Sequence, residues 1–584
     1  LVALLLSWLY IFFISFTGGL FLYEIFKPEK NTTNSPLPPA YLLSLTGLCV
    51  LNSLAACLSL FWPLNIGLPI GIGLLAAGYS IYKRKIYLRY LLTGWGKMKA
   101  HYFAWLIWGG LLLLYVSYLA TTTPVNDDSG IYHTQSIKWI EQYKVIPGLG
   151  NLAGRYAFNS SYFLWSALFS FSALVGQPIF ALNSYLVLLF GFITLAYLFQ
   201  NFREKRNNKI GLFLAALFWL NLYFFNVWLS SPTPDIPAAI LVAFIFLLLL
   251  QTAQPPTNQV NSFYPAALIL LLLTCVTVKL SVAPALGFIF YLGYIGSIKI
   301  NRKWLLFLVA SFSWIVLPWL IRNVVLSGYL IFPLPALDLF AFDWEVPRQL
   351  VQDEKDMVHS VAILLSPDWK GILDLKFQEW VPIWFQDHSP TEQILLTAAL
   401  FSPLLMALGL LPGFRRRFSS ELLKRHYLLW LINYGCVVYW FWLAPSIRFG
   451  STFLFISAFY PIYLALTTLK ASVFTILNRL VLLLFALWWL NNLRDAVYVA
   501  RHQQTIFRSR LILPAKQPEV TLKKVKLNNT IIWMPAQGFM CWNAPLPCTY
   551  ALPVNVEMRG KLLTQGFRAL RPTNQSHLKN ANNK

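Results

Sequence analysis

Apolar runs long enough to cross a bilayer recur along this chain, and no other feature limits its fold so strongly. A helix of roughly 17–25 apolar residues spans a hydrocarbon core about 30 Å thick. Lipid offers no partner to a backbone N–H or C=O, so only helices or a closed barrel can span it, and the alternation of barrel strands is absent. Windows near 1–25, 41–62, 66–82, 103–120, 179–200, 210–229, 237–251, 263–278, 282–298, 304–320, 392–412, 427–443, 450–468 and 476–491 read as helices, about fourteen spans in all. Composition agrees: 57% of residues are hydrophobic and 12% charged, against about 45–50% and about 25% in soluble domains. The expected fold class is an all-α polytopic membrane protein.

The first run, Leu1 to Tyr23, lacks the basic flank and small-residue cleavage site of a signal peptide, so it reads as a retained helix. Basic clusters fall at Lys83-Arg84-Lys85 with Arg89, Lys97 and Lys99; at Arg203, Lys205, Arg206 and Lys209; at Lys299, Arg302 and Lys303; and at Arg415-Arg416-Arg417 with Lys424-Arg425. Even numbers of spans separate them, so the positive-inside rule puts all four in the cytoplasm and both chain ends outside. The net charge of +24 then faces anionic headgroups. Nucleic acid is not an expected partner, because no soluble basic and aromatic surface is present.

Three units are expected: residues 1–100 with three helices and a basic cytoplasmic loop, a transmembrane core over 101–491 with outer loops 121–178 and 321–391, and an extracytoplasmic module over 492–584. Loop 321–391 gathers Asp338, Asp343, Glu345, Asp353, Glu354, Asp356, Asp368, Asp374, Glu379 and Asp387 from a total of 22 acids, which suits the side away from anionic lipid. The tail alternates over Val520 to Ile532 and then runs Met540-Cys541-Trp542-Asn543-Ala544-Pro545-Leu546-Pro547-Cys548, a small β-rich module with a proline-kinked loop. Cys541 and Cys548 are candidates for a disulfide, which needs an oxidising compartment. Cys49, Cys57, Cys275 and Cys436 lie in apolar spans as packing residues. The tail is itself basic, and a thirteen-span arrangement would put it inside. Asn574 to Lys584 has the composition of a disordered end.

No phosphate-binding P-loop, paired-histidine zinc helix or Gly-x-Ser-x-Gly elbow is present. Gly71-Ile72-Gly73 lies inside a span, where small residues serve helix packing. The seven histidines are scattered, so no metal site is expected. What stands out is a set of polar residues at one expected depth, the outer helix ends. Asp127, Asp128, Tyr132 and His133 follow span four, Asp235 lies in Ser231-Pro232-Thr233-Pro234-Asp235, and Lys279 separates spans eight and nine. Arg322 follows span ten, and Arg448 precedes span thirteen. Ionisable side chains at such a boundary are costly unless paired or hydrated, so they mark a functional site by default. Lysine and arginine can hold phosphate oxygens while a carboxylate deprotonates a hydroxyl, the chemistry of transfer from a lipid-linked phosphate. A phosphate leaving group demands no metal or other cofactor.

Asp128-Ser129-Gly130-Ile131-Tyr132-His133, Gln135-Ser136-Ile137-Lys138-Trp139-Ile140, Pro147-Gly148-Leu149-Gly150-Asn151-Leu152, Gly154-Arg155 and Phe158-Asn159-Ser160-Ser161 resemble a group of bacterial polytopic membrane proteins of unassigned function. That group is similar to the GT-C glycosyltransferases, which use polyprenyl-phosphate sugars. The likeness to GT-C enzymes rests on an Asp in the first large outer loop, on Pro318-Trp319-Leu320-Ile321-Arg322-Asn323, and on Arg448-Phe449. It implies an inverting transfer of sugar to a hydroxyl of a surface glycan or lipid at the outer face of a bacterial inner membrane. Matching Asp-x-x-x-Tyr, Asp128 would be the catalytic base, with Asp127 as fallback and His133 beside it. Lys279, Arg322 and Arg448 would hold phosphate, while Asp235 and Tyr132 would contact substrate. Three helices precede the span that would open a GT-C core, a departure that leaves their role open.

Each residue also has a plain structural reading. The acid pair can be a solvated cap and His133 a packing residue. Lys279 can snorkel, Arg322 and Arg448 can anchor helix ends, and Tyr132 and Trp139 can be interfacial aromatics. Asn31-Thr32-Thr33 and Asn159-Ser160-Ser161 match the glycosylation pattern by chance in a bacterial-looking chain. Rival functions are a transporter or flippase of a lipid-linked or anionic solute and a polysaccharide polymerase or ligase with a pyrophosphate-linked donor.

Overall fold

Each of the fourteen apolar windows coincides with a helix in the computed structural model, and ten of these helices, over the described residues, are long and apolar enough to cross a membrane. The described residues are 1–26, 37–99, 101–203, 210–253, 263–298, 301–409, 411, 419–468, 471–527, 530–553 and 555–570. The Asn31-Thr32-Thr33 pattern, the basic residues Lys205, Arg206, Lys209, Lys299 and Arg415 to Arg417, and the tail from Asn574 to Lys584 lie outside them. Helices Gly67–Tyr82, Phe263–Val278 and Leu280–Tyr294 are apolar but shorter. The last of these begins as a 3-10 turn over Leu280–Gly287 containing Pro284, which has no N–H to offer an α-helical ladder.

Burial is deepest in the helix Asp235–Ala253, where nearly every side chain is enclosed. A helix apolar all round belongs in a protein core or in a bilayer, and here Ala181–Arg203, Ile210–Phe225, Phe263–Val278 and Ile447–Leu466 pack around it. The N-terminal helices are part of the same core. Val2–Phe26 crosses Ala40–Ser59 so closely at Gly19 and Gly47 that a Cβ on either would collide with the other helix's backbone. Ala40–Ser59 in turn packs on Phe263–Val278 and Arg302–Ser327, and its Leu48 carbonyl accepts a hydrogen bond from the Trp165 indole at 2.9 Å.

The intervening segments are more ordered than loops. Residues 121–178 fold into the π-helical turn Ser129–His133, the helix Thr134–Gln142 and further short helices. The acidic segment 321–391 is largely helical, through Arg348–Ile363, Trp369–Leu373 and Phe377–Asp387. It also begins later than expected, because the helix Arg302–Ser327 carries on past residue 320. Likewise Ala471–His502 runs unbroken across the expected boundary at 492 and is followed by Gln504–Ile512.

The β-rich module is present as two small antiparallel sheets. Leu522–Leu527 pairs with Thr530–Pro535, and Val556–Met558 pairs with Phe567–Ala569. Cys541 and Cys548 form a disulfide, whereas Cys49, Cys275 and Cys436 are free and buried. A second hydrophobic core joins this module to the 121–178 segment: Trp139, Ile146, Leu149, Leu152 and Tyr156 pack with Leu326, Ile532, Val556 and Phe567. Gly148 sits at this seam with φ 63°, where any side chain would run into the Phe567 backbone oxygen.

Candidate active site

The site begins with a turn. After the helix ending at Ala120, the side chain of Asn126 accepts hydrogen bonds from the backbone N–H and the hydroxyl of Ser129, both at 3.0 Å, which starts the π-helical turn. The backbone N–H groups of Val125 and Asn126 donate to the Ser231 hydroxyl at 3.2 Å, and the Asn183 amide donates to the carbonyls of Ser231 and Thr233. These bonds lash the Asp128 segment to the Pro-rich turn that opens the helix Asp235–Ala253.

Two guanidinium groups hold Asp128. Arg155 Nη1 donates to one carboxylate oxygen at 2.7 Å and Arg448 Nη1 to the other at 2.8 Å. Arg448 also lies 4.0 Å from Asp235, which is paired with Lys279. The ring of Phe449 lies under both cations, 4.1 Å from the Lys279 ammonium and 4.8 Å from the Arg448 guanidinium, a cation–π arrangement that favours their charged forms. Ser281 fixes that residue by donating to the Phe449 carbonyl at 2.9 Å. The cluster therefore joins three cations to two carboxylates. Asp128 follows one helix, Asp235 opens another, Lys279 lies between two more, and Arg448 is the second residue of Ile447–Leu466. Four places at helix ends meet.

Burial alone would raise the Asp128 carboxyl, but the fields of Arg448 and Arg155 overcome it and hold the group well below the usual carboxylate range. In this state Asp128 is a poor base. A group that takes a proton must first lose at least one arginine. His133 is buried, 3.1 Å from the Ser129 hydroxyl, and burial pushes its imidazole down to about 4. It is neutral at physiological pH and adds no charge. Tyr132 packs edge-on against it, with ring centroids 4.3 Å apart, and stands 5.9 Å from the Arg155 guanidinium.

Asp128, Asp235, Lys279 and Arg448, expected from sequence, are brought together, and two other expected residues are not. Asp127 points to solvent, because the turn that buries Asp128 leaves its neighbour on the open side. Arg322 lies within a helix, 3% exposed. Its Nε donates to Asn159 Oδ1 at 3.1 Å and its Nη1 to Ser59 Oγ at 2.7 Å. It thus ties the helix Arg302–Ser327 to the end of Ala40–Ser59 and to the 158–161 segment, and its partners are neutral groups outside the ion cluster.

Arg155 is the residue sequence reasoning missed. It stood in the Gly154-Arg155 motif, and the signal available was a cation in the same outer segment as an acid pair. On its other side it feels the field of Glu354, and its backbone N–H donates to the Tyr550 hydroxyl at 3.4 Å. The disulfide loop braces the same segment. The Trp542 N–H donates to the Gly130 carbonyl at 2.9 Å, the Gln135 amide donates to the carbonyls of Trp542 and Ala544, and the Lys138 ammonium donates to the carbonyls of Asn543 and Ala544.

Comparison with curated proteins found no match, and neither did comparison with solved structures. A family model does match, over residues 1–455, which include all five charged residues of the cluster but not the β-rich module. This chain belongs to the family defined by the domain of unknown function DUF8201.

Proposed function

We propose that this protein is a GT-C-type glycosyltransferase that moves a sugar from a polyprenyl-phosphate carrier to a hydroxyl of a surface glycan or lipid, at the outer face of a bacterial inner membrane. The observation that carries this reading is the Asp128 carboxylate held between Arg155 and Arg448 at the ends of apolar helices. Two guanidinium groups converging on one carboxylate are spaced for any small oxyanion, and arginine's planar fork suits a phosphate.

A donor phosphate entering the cluster takes Arg448 and Arg155 from Asp128, with Lys279 adding a third cation. The freed carboxylate recovers its basicity and accepts the proton of the acceptor hydroxyl. The acceptor oxygen then bonds to the anomeric carbon from the side opposite the phosphate, and the carbon–oxygen bond to phosphate breaks. The electron pair leaves on the polyprenyl phosphate, where the same cations stabilise it, and the sugar centre is inverted. Asp235, held by Lys279, is placed to orient a hydroxyl. Arg322, bound to neutral groups outside the cluster, takes no part in this scheme.

The test is to replace Asp128 with Asn in the producing cell and to compare the surface glycan at equal membrane abundance of the protein. Loss of a sugar is expected. An unchanged glycan rejects Asp128 as the base.

A further inference from the structure

The helix Arg84–Lys99 carries the basic residues Arg84, Lys85, Arg89, Lys97 and Lys99 and no acidic one. So many charges in 16 residues exclude it from crossing a bilayer as the ten long apolar helices can. Two ties fix its course. Just ahead of it, Lys83 Nζ donates to Glu24 Oε2 at 2.9 Å, near the end of Val2–Phe26. Within it, the Tyr90 hydroxyl donates to the Pro38 carbonyl at 2.8 Å, close to the start of Ala40–Ser59. The end of one span and the start of the next lie on one side of the bundle. The stretch from Lys83 to Tyr90, about 10 Å of helix, therefore runs along a membrane boundary and not through it.

Its sides differ in chemistry. Tyr87 and Tyr90 form the inner one: both rings meet Phe16 edge-on, with centroids 5.4 and 5.0 Å away, and the hydroxyls of Tyr87 and Thr17 are 2.7 Å apart. Leu88, Leu91, Leu92 and Trp95 make a separate i, i+3, i+4, i+7 stripe, 54–71% exposed. Lys85 and Arg89, one turn apart and exposed, stand beside that stripe, and Arg84 and Lys99, also exposed, close its two ends. Among the described residues no acid pairs with any of these four cations.

We infer that this helix lies in the bilayer interface and binds anionic phospholipid. Acyl chains cover the stripe of Leu88, Leu91, Leu92 and Trp95, while phosphate headgroups meet Arg84, Lys85, Arg89 and Lys99. Unpaired cations beside an apolar stripe are complemented by negative headgroups over hydrocarbon, and tryptophan suits that depth. A soluble acidic partner would leave the stripe in water, and an apolar protein face would leave the cations unpaired. The inference does not rest on the transfer reading, since no residue of this helix belongs to the ion cluster.

The experiment uses the full chain with Leu92→Cys labelled by bimane, in a Cys57→Ser background because the other free cysteines are buried. The protein is reconstituted in phosphatidylcholine vesicles holding a minor fraction of phosphatidylglycerol, with bromine on the acyl chains of one lipid or the other. Bromine quenches a probe that those chains touch. Quenching by both lipids is expected, with phosphatidylglycerol more effective than an equal fraction of phosphatidylcholine, since one cation near an anionic surface is worth up to about fivefold in occupancy. Combining Arg84→Gln, Lys85→Gln and Arg89→Gln should remove most of that preference and leave quenching by phosphatidylcholine in place. High salt should weaken the preference in the parent chain as well, which gives the answer even if the triple variant does not fold. An unquenched probe, as when protein covers the stripe, equal quenching by both lipids, or a preference unchanged by the triple substitution or by salt would each overturn the inference.

Discussion

Replacing Asp128 with Asn should make the protein bind a phosphate more tightly while abolishing transfer. In the resting site the carboxylate occupies the place a phosphate needs, with contacts of 2.7 and 2.8 Å to Arg155 and Arg448. Charge centres about 4 Å apart attract by about 4 kcal/mol at an effective dielectric of about 20. The arginine side chains are 22% and 28% exposed, so solvent screens part of this. The lower bound for a hydrogen bond to a charged group, about 1.5 kcal/mol, is the safer figure for each arm. A phosphate that no longer has to displace even one arm gains that much, a factor of about ten in Kd. The assay is titration of a short isoprenyl monophosphate into parent and Asp128→Asn proteins in detergent, with thermal unfolding run alongside to establish that the variant is folded. Asparagine keeps the shape but not the charge, so a folded variant binding the phosphate equally or more weakly would refute the idea that carboxylate and phosphate compete for the same arginines.

Burial lowers the His133 imidazole to about 4 from an ordinary 6.5, so the folded state favours the neutral ring and the unfolded chain binds the proton more readily between those values. Its contribution to stability is complete above about pH 6.5 and is lost as pH falls towards 4, on the order of 3 kcal/mol in all; thermal unfolding against pH should show this slope, and His133→Asn should flatten it. Arg322→Lys gives up one of two hydrogen bonds made by separate guanidinium nitrogens, at about 1.5–3 kcal/mol. The melting temperature in detergent should fall while sugar transfer per folded molecule stays unchanged, and a selective loss of transfer would return Arg322 to the phosphate site.

Where the sequence misled, the reasons are specific. A hydropathy window closes when a charge enters it, so the span near 304–320 ended just before Arg322, although the backbone hydrogen-bond ladder continues to Ser327 and needs no hydrophobicity to do so. The acidic 321–391 segment looked like a loop for the same reason, yet Arg348–Ile363 is a helix, buried at Val351 near its start and at Ser360, Ala362 and Ile363 near its end. Asp127 and Asp128 are chemically identical neighbours, and only the tight turn capped by Asn126 decides which of them enters the cluster.

The sequence by itself determined the helical, membrane-scale architecture, the placing of Asp235, Lys279 and Arg448 at helix ends, the small β-rich module and the Cys541/Cys548 pair, because these depend on apolar length, alternation and local spacing. Tertiary structure alone decided which charges meet. Asp128 joins Arg155 across 27 residues and Arg448 across 320, and Lys279 reaches Asp235 across 44. No local pattern encodes such distances. They are fixed by how the helices pack around Asp235–Ala253 and by hydrogen bonds such as those of Ser231 and Asn183, which draw two separate turns to one point.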